Sequence, residues 1–533
     1  MPQKNAKSFA LILTLALSGQ SCVDQNNTED TDQNKIVTAS QASNGAVGRC
    51  SALLEVRIDG LTVDRAEAVT DRPDLPGYCA IGGVIDPAIG FEARFPLEGW
   101  NGKYYQSGCG GYCGSVLPDK KGYSNTINEA LKLGYAAITT DGGHSGWIGD
   151  ASWASNDPVA VEVYAHKVIP LTYDAGTRLV EAFYDAAPRR EYFGGCSNGG
   201  RLAAMAAQRY PRLFDGILGG SAVLNLSQNG GIFGSWVVQA NTGEDGERIL
   251  DSGNFAHKLP ELEKAVVGQC DASDGSLDGI ISQPRNCQVD VTLLPLCEGD
   301  SSEGCFTERE LAVLARWYQG PRDSSGHQLF PGMPAGSERF WRVWFLDPEG
   351  QTAPGNALGG NYAKYLGFEE GAPEDFTALD FDFDADPARL VARGRLLNAL
   401  EPDLRAFRDA GGKYLAWHGW QDPLVLPDQA VEWYASVVDE MGGVSEVDPF
   451  LRLFMIPGQG HCWEMPASAP DRFDPITVLD NWVENGRAPA QLHVSALDPA
   501  SSAVPESVVC PYPSAPVHLR DRFEPAQDYC ETD

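Results

Sequence analysis

Positive charge is scarce in this chain. Its 40 Lys and Arg stand against 73 Asp and Glu, a net charge of −33. Phosphate backbones and anionic membranes are held by a basic footprint, so the composition excludes nucleic acid and an anionic surface as natural partners. The excess acid suits a soluble protein in a salty medium, where screening weakens self-repulsion. Long apolar runs are missing too. Phe9 to Leu17 is too short to span a bilayer, and no later stretch spans one either. No internal repeat is evident. Cysteine, by contrast, is plentiful: 13 residues, an odd count that asks for one with a separate job.

That cysteine is read near the start. Lys4 and Lys7, the largely apolar Phe9 to Leu17 and the small or polar Ser18 to Ser21 have the layout of a signal peptide over 1–22. Export permits disulfides. Cys22 sits where a bacterial lipoprotein carries its lipid anchor, although Gly19 stands where an aliphatic residue is usual. Freely secreted protein and outer-membrane or periplasmic lipoprotein therefore both stand. Residues 23–48, rich in Asp, Asn, Gln and Thr up to Asn44, read as a disordered tether, with folding expected to begin near Gly48-Arg49-Cys50.

At 533 residues the chain exceeds what one core organises, roughly 250–300 residues. Phe91 to Phe95, Lys103 to Gln106 and Tyr135 to Thr140 predict strands, with a helix over Ser124 to Leu133. Glu162 to Ala187 predicts a long helix interrupted at Pro170. Tyr192-Phe193 and Gly216 to Gly220 predict strands on either side of a helix from Arg201 to Tyr210, stopped by Pro211. The alternation argues for an α/β sheet. It breaks at about Asn225, and up to about Arg395 the chain is turn-rich, aromatic and cysteine-bearing. It resumes with a helix at Leu404 to Ala410, a strand at Lys413 to Trp417, a helix at Gln429 to Glu440 and a strand at Leu451 to Ile456. The simplest organisation is a first sheet part over 49–224, an inserted domain over 225–395 and a second sheet part over 396–533.

The chemistry is organised around Gly195-Cys196-Ser197-Asn198-Gly199. Strand, tight Gly turn and helix are the context in which G-x-S-x-G thrusts a serine nucleophile upward. The blander reading is a Gly-rich turn after a strand. Acyl transfer by Ser197 needs a base and a carboxylate to orient it, in the order Ser, Asp, His. Asp422 follows the strand ending at Trp417, and His461 follows the strand ending at Ile456. His418 is the rival base, but it precedes Asp422 and reads better as a supporting group; His257 and His327 read as surface residues. Cys196 precedes the serine and Cys462 follows the histidine. A hydrogen-bonded Ser197–His461 pair brings these two cysteines within disulfide range. One oxyanion-hole N–H is expected from Asn198 and another from the stretch Ser107 to Gly114.

This Cys-Ser, Asp, His-Cys constellation resembles the tannase and feruloyl esterase family of α/β-hydrolases, which includes the terephthalate monoester hydrolase of plastic-degrading bacteria. Trp100-Asn101-Gly102-Lys103, Thr140-Asp141-Gly142-Gly143-His144, Phe214-Asp215-Gly216-Ile217 and Phe381-Asp382-Phe383-Asp384 are similar to family segments, and the likeness runs from about Cys50 to Cys530. It implies an α/β-hydrolase sheet whose insertion is a lid. It implies Gly111 as the second oxyanion donor, with Gly110 the alternative and a Cys109–Cys113 bond to stiffen the loop. Three carboxylates crowd the turns from Cys270 to Ile280, and their repulsion calls for a hard cation. The spacing is not that of an EF-hand; the family likeness implies a structural Ca²⁺ held by side chains of Asp271, Asp274 and Asp278 and carbonyls of Ser276 and Ile280. A solvated acidic turn is the plainer reading. Pairs Cys50–Cys79, Cys270–Cys287, Cys297–Cys305 and Cys510–Cys530 complete the set and leave Cys22 over.

The resemblance implies an esterase of aromatic acids, and the reading leans to a feruloyl type with tannase close behind. The terephthalate enzyme uses a lid arginine; Asn356 to Tyr362, the comparable segment here, has none, with Lys364 and Arg339 as substitutes. Trp341, Trp344 and Tyr362 are candidates to stack on an aromatic acyl group, although aromatic core explains them equally. A serine peptidase and a non-catalytic surface-binding module remain as readings of other classes. No protein partner is implied.

Overall fold

The computed structural model describes residues 45–120, 126–275, 277–298, 304–463, 467, 469–500, 505–514, 516–517 and 529–530. The expected signal segment, Cys22 and residues 23–44 lie outside the described residues, as does Ser276. All described residues belong to one compact unit, Ile36–Asp533.

Nine strands make the central sheet: β1 Leu61–Val69, β2 Tyr78–Ile85, β3 Ile89–Pro96, β4 Lys103–Ser107, β5 Ala136–Thr140, β6 Arg190–Cys196, β7 Gly216–Gly220, β8 Lys413–Gly419 and β9 Leu451–Ile456. Their order is β1-β2-β3-β5-β4-β6-β7-β8-β9. From β5 to β9 every pairing is parallel, whereas β1, β2 and β3 are antiparallel and join through β3 beside β5. The fold is thus of the α/β type with a mostly parallel sheet.

Side chains alternate between two separate cores, as the two-residue period of a strand requires. Tyr104, Phe193, Ile217 and Tyr414 share one core with Leu179 and Leu202, which lie on the helices Val168–Tyr184 and Asn198–Arg209. Their chain neighbours Tyr105, Tyr192, Leu218 and Leu415 share the other with Leu479 and Trp482 of the helix Pro475–Asn485. Burial on both faces explains why adjacent residues of these strands are apolar instead of alternating with polar ones, as in Tyr104-Tyr105 and Tyr192-Phe193.

Several expectations need correcting. The first helix, Ala46–Ala52, begins inside the stretch read as tether, and its Cys50 is bonded to Cys79 of β2. β1 and β2 were not anticipated. β1 mixes polar and apolar residues, with a half-exposed alternation that suits an edge strand. Helix before β5 is confined to Asn128–Lys132. The long helix is not broken at Pro170. It widens just upstream, in a π-turn over Val163–Lys167, and runs on through the proline to Tyr184. A wider turn accommodates a ring that would clash with the carbonyl four residues back.

Between β7 and β8 the chain makes one long excursion with no strand among its described residues. Turns separate short helices, including Gly234–Ala240, Leu259–Cys270, Glu308–Gln319, Glu338–Trp344, Pro354–Asn361 and Asp386–Leu397. The bonds Cys270–Cys287 and Cys297–Cys305 lie within it, and Cys510–Cys530 joins the C-terminal segment.

Candidate active site

β6 ends at Cys196, and Ser197 turns the chain into the helix Asn198–Arg209 with φ 62° and ψ −124°. A non-Gly residue at positive φ is strained, the geometry of a nucleophile held up at a strand-to-helix corner. The corner is pinned by Ser197 N–H donating to Gly220 O at 3.0 Å, and by Arg201 N–H donating to Ser197 O at 3.0 Å. Crowding explains the glycines. A Cβ on Gly199 would lie 2.8 Å from Gly108 O, and one on Gly195 would lie 2.7 Å from Gly199 Cα.

Asp422 and His461 leave neighbouring parallel strands, β8 and β9, at the same sheet end. His461 Nδ1 and Asp422 Oδ2 are 2.7 Å apart, and both side chains are buried. A carboxylate accepts, so Nδ1 carries the proton and Nε2 is left as the basic nitrogen. Burial pushes the Asp422 carboxyl up, but His461 and His418 beside it outweigh that and hold it well below the usual carboxylate range. Asp422 Oδ1 also accepts from the N–H groups of Leu424 and Val425 at 3.0 and 2.9 Å. His418 is wholly buried; its Nε2 lies 2.8 Å from Val425 O and 3.4 Å from Asp422 Oδ2. It therefore supports the aspartate. Cys196 and Cys462 are bonded, Cα to Cα 5.8 Å, which brings the neighbours of Ser197 and His461 together. The Trp344 ring meets the His461 imidazole edge-on at 5.4 Å.

Gly111 and Asn198 lie in the wall of the cavity that Ser197 opens into. Gly111 has φ 57°, and a Cβ there would lie 2.5 Å from Ile148 O, so only glycine fits. Its loop is closed by the Cys109–Cys113 bond. The Asp141-Gly-Gly-His segment braces it from outside. His144 Nε2 donates to Tyr112 O at 2.6 Å, and Gly114 N–H donates to Asp141 O at 2.8 Å. Burial lowers His144 to about 4 and raises Asp141 to about 6.

Arg201, which the sequence reading passed over, is fully buried. Its Nε donates to Asn198 Oδ1 at 2.7 Å, and its other nitrogens donate to the carbonyls of Ala165, Leu397 and Tyr164. Asn198 Nδ2 in turn donates to Cys109 O at 3.1 Å. The guanidinium thus ties the helix start to the glycine loop. An Arg one turn into a helix reads as surface in a sequence, so nothing marked it.

The cavity measures about 500 Å³ with its open mouth. Val223, Leu226, Phe233, Phe345, Leu358 and Leu424 supply apolar wall; among the described residues Asn229 is its one polar side chain away from the serine end apart from Tyr112, and none that is charged lines it. The Tyr112 hydroxyl is spent on Leu358 O at 2.6 Å. These residues come from separate stretches, so no local motif announces them. Trp341 and Tyr362 do not line this cavity. Both are fully buried, Trp341 packed edge-on against Trp317 at 5.1 Å and donating to Ser337 Oγ, Tyr362 packed against Gly230. Lys364 donates to Glu374 O and Arg339 pairs with Glu263, also away from the wall. His257 and His327 are exposed.

In the acidic loop, Asp271 accepts from Gly279 N–H at 3.0 Å, Asp278 from Ile280 N–H at 2.9 Å and Asp274 from Ser282 N–H at 2.7 Å. Among the described residues no three His, Cys, Asp or Glu side chains are gathered closely enough to hold a metal ion. The donors are oxygen throughout, the chemistry of a hard cation. No helix among the described residues is long and apolar enough to cross a membrane.

A serine at a strand-to-helix corner, a histidine held by a carboxylate and a glycine loop facing an apolar cavity define the class: an α/β protein built like a hydrolase. Residues 76–531 match the family model "Tannase and feruloyl esterase". The chain is 32% identical over 537 residues to an uncharacterized esterase of Xanthomonas campestris pv. campestris, covering 91% of each. It is 30% identical over 517 residues to the mono(2-hydroxyethyl) terephthalate hydrolase of Piscinibacter sakaiensis, covering 84% of each. The crystal structure of feruloyl esterase B from Aspergillus oryzae superposes with a TM-score of 0.75 at 22% identity, over 89% of this chain and 97% of that one. The chain belongs to the tannase and feruloyl esterase family and is a carboxylic ester hydrolase.

Proposed function

We propose that this enzyme hydrolyses esters of aromatic acids of the hydroxycinnamate kind, through an acyl-enzyme on Ser197. The observation that carries the reading is the Asp422–His461 bond of 2.7 Å beside the Cys196–Cys462 link, whose Cys196 adjoins Ser197 in the wall of an uncharged apolar cavity. Ser197 Oγ attacks the ester carbonyl while His461 Nε2 takes its proton, and Asp422 holds the imidazole and balances its charge. The N–H groups of Asn198 and Gly111 receive the oxyanion. His461 returns the proton to the departing alcohol. Water then attacks the acyl-enzyme by the same route and frees the acid.

The uncharged wall favours a feruloyl type over a terephthalate monoester, whose free carboxylate would be buried without a cation. A galloyl ring, with three hydroxyls, asks for more polar partners than one amide supplies. The peptidase reading fits less well, because among the described residues that line the cavity none lies in a sheet strand that could pair with a peptide. The long β7–β8 excursion, which supplies most of the cavity wall, acts as the lid. The side chains of Asp271, Asp274 and Asp278 would have to draw closer together than they lie here to hold, with the carbonyls of Ser276 and Ile280, a structural Ca²⁺ in that lid, away from the ester chemistry. The oxygen-only donor set supports such a site, and chelation should lower the melting temperature, reversed by adding calcium. Six disulfides suit an oxidising compartment and so support export.

The test is a matched panel of initial rates on methyl ferulate, methyl gallate, a terephthalate monoester and a peptide anilide. Preference for ferulate is expected. Activity concentrated on the terephthalate monoester or the anilide would overturn the reading.

A further inference from the structure

Asn229 is buried in the cavity wall, 8% exposed, and its amide orientation is fixed by its neighbours. The backbone N–H of Asn225 donates to Gln429 at 3.0 Å, so the Gln429 atom facing it is the oxygen. Gln429 Nε2 then donates to Asn229 Oδ1 at 2.7 Å. Asn229 Nδ2 donates to Leu424 O at 3.0 Å, a carbonyl that only accepts. Both ends of the amide agree on one orientation. A primary amide has two N–H groups and two lone pairs, and these contacts use one of each. One donor and one acceptor are left on a side chain that faces an otherwise apolar cavity.

The serine end is already committed. Asn198 spends its side chain on Cys109 O and Arg201, and Tyr112 gives its one hydroxyl proton to Leu358 O, which leaves it acceptor capacity but no donor. Asn229 is therefore the group left to recognise a polar substituent on the acyl ring. A ring hydroxyl both donates and accepts and matches both free valences. A carboxylate only accepts and brings a charge that no lining residue balances. An unsubstituted ring covers the amide and leaves it desolvated without a partner, which is costly.

Resting on the aromatic-acyl reading above, we propose that Asn229 is the specificity determinant that selects acyl groups bearing a ring hydroxyl. Gln429 and Leu424 O act as its orienting partners. Leu424 is two residues beyond Asp422, whose carboxylate accepts from Leu424 N–H, so this anchor and the proposed catalytic aspartate share one loop.

The experiment compares kcat/KM on methyl p-coumarate and methyl cinnamate, which differ only in the ring hydroxyl. Wild type should prefer the coumarate by about tenfold or more. In Asn229→Ala the ratio should fall to about one, whatever the absolute rates. Equal rates in wild type would overturn the proposal without any variant. A ratio kept in Asn229→Ala while both rates fall would also overturn it, and assign Asn229 a purely structural part. Turnover of neither ester would sink the aromatic-acyl reading itself.

Discussion

Cys196, which precedes Ser197, is bonded to Cys462, which follows His461, at a sequence separation of 266 and with 5.8 Å between their Cα atoms. Both cysteines are buried. The loop it closes contains the whole excursion between β7 and β8, so it fixes the serine corner to the histidine loop independently of that excursion's packing. Closing a loop of this length is worth about 5 kcal/mol in the chain-entropy model, less any strain. The double variant Cys196→Ala/Cys462→Ala should lose both melting temperature and kcat, read by calorimetry and initial rates. An unchanged kcat would mean that the bond stabilises the fold without organising the site.

Asp422 fixes the tautomer of His461 through the Nδ1 contact. Asp422→Asn presents an amide in place of an acceptor-only carboxylate, which favours the wrong tautomer. We expect kcat to fall by about 10⁴ with the fold retained, checked by kinetics beside circular dichroism. A fall of less than about tenfold would remove Asp422 from the mechanism.

Gly234 and Gly359 bring two helices of the cavity wall together backbone to backbone. A Cβ on Gly359 would sit 2.6 Å from Gly234 Cα. Gly359→Ala must part the helices, costing about 1–3 kcal/mol of stability as overpacking does. Because the same helices frame the acyl cavity, KM for aromatic esters should rise. Thermal melts and Michaelis curves on one preparation test both halves.

Glu338 carries a pH signature. It is fully buried, accepts from the Tyr318 hydroxyl at 2.7 Å and from Gly336 N–H at 3.1 Å, and burial raises it to about 7 from an ordinary 4.5. Between those values the folded state holds a proton that the unfolded state has released. Stability from this group is therefore present below about pH 4.5 and lost as pH rises toward about 7, an effect on the order of 3 kcal/mol. Glu338→Gln removes the titration. Its melting temperature relative to wild type should rise between about pH 5 and about pH 8. A constant difference would contradict this account.

Much of the site was legible because its signals are local. Gly195 to Gly199 marks the serine corner, and Asp422 and His461 stand just past apolar runs that became β8 and β9. The parallel strands were readable for the same reason, most being short runs with an apolar centre such as Ile217-Leu218 and Leu415-Ala416-Trp417. β1 was not, since its alternating exposure mixes Asp64, Arg65 and Glu67 into a strand whose partner is visible only in three dimensions. The cavity wall was illegible for a related reason. Trp341 and Tyr362 are large aromatics in the right segment, but size drives such residues into the core, where both sit fully buried. The wall fell instead to smaller residues such as Leu226, Asn229 and Leu358, which converge from distant parts of the chain.

The central claim is that acyl transfer runs through Ser197. The most direct measurement is titration with a serine-reactive fluorophosphonate, followed by intact mass and peptide mapping. The account predicts loss of esterase activity in step with one adduct per chain, located on Ser197 and absent from Ser197→Ala. Activity that survives full labelling of Ser197, or an inactivating adduct on another residue, would contradict it.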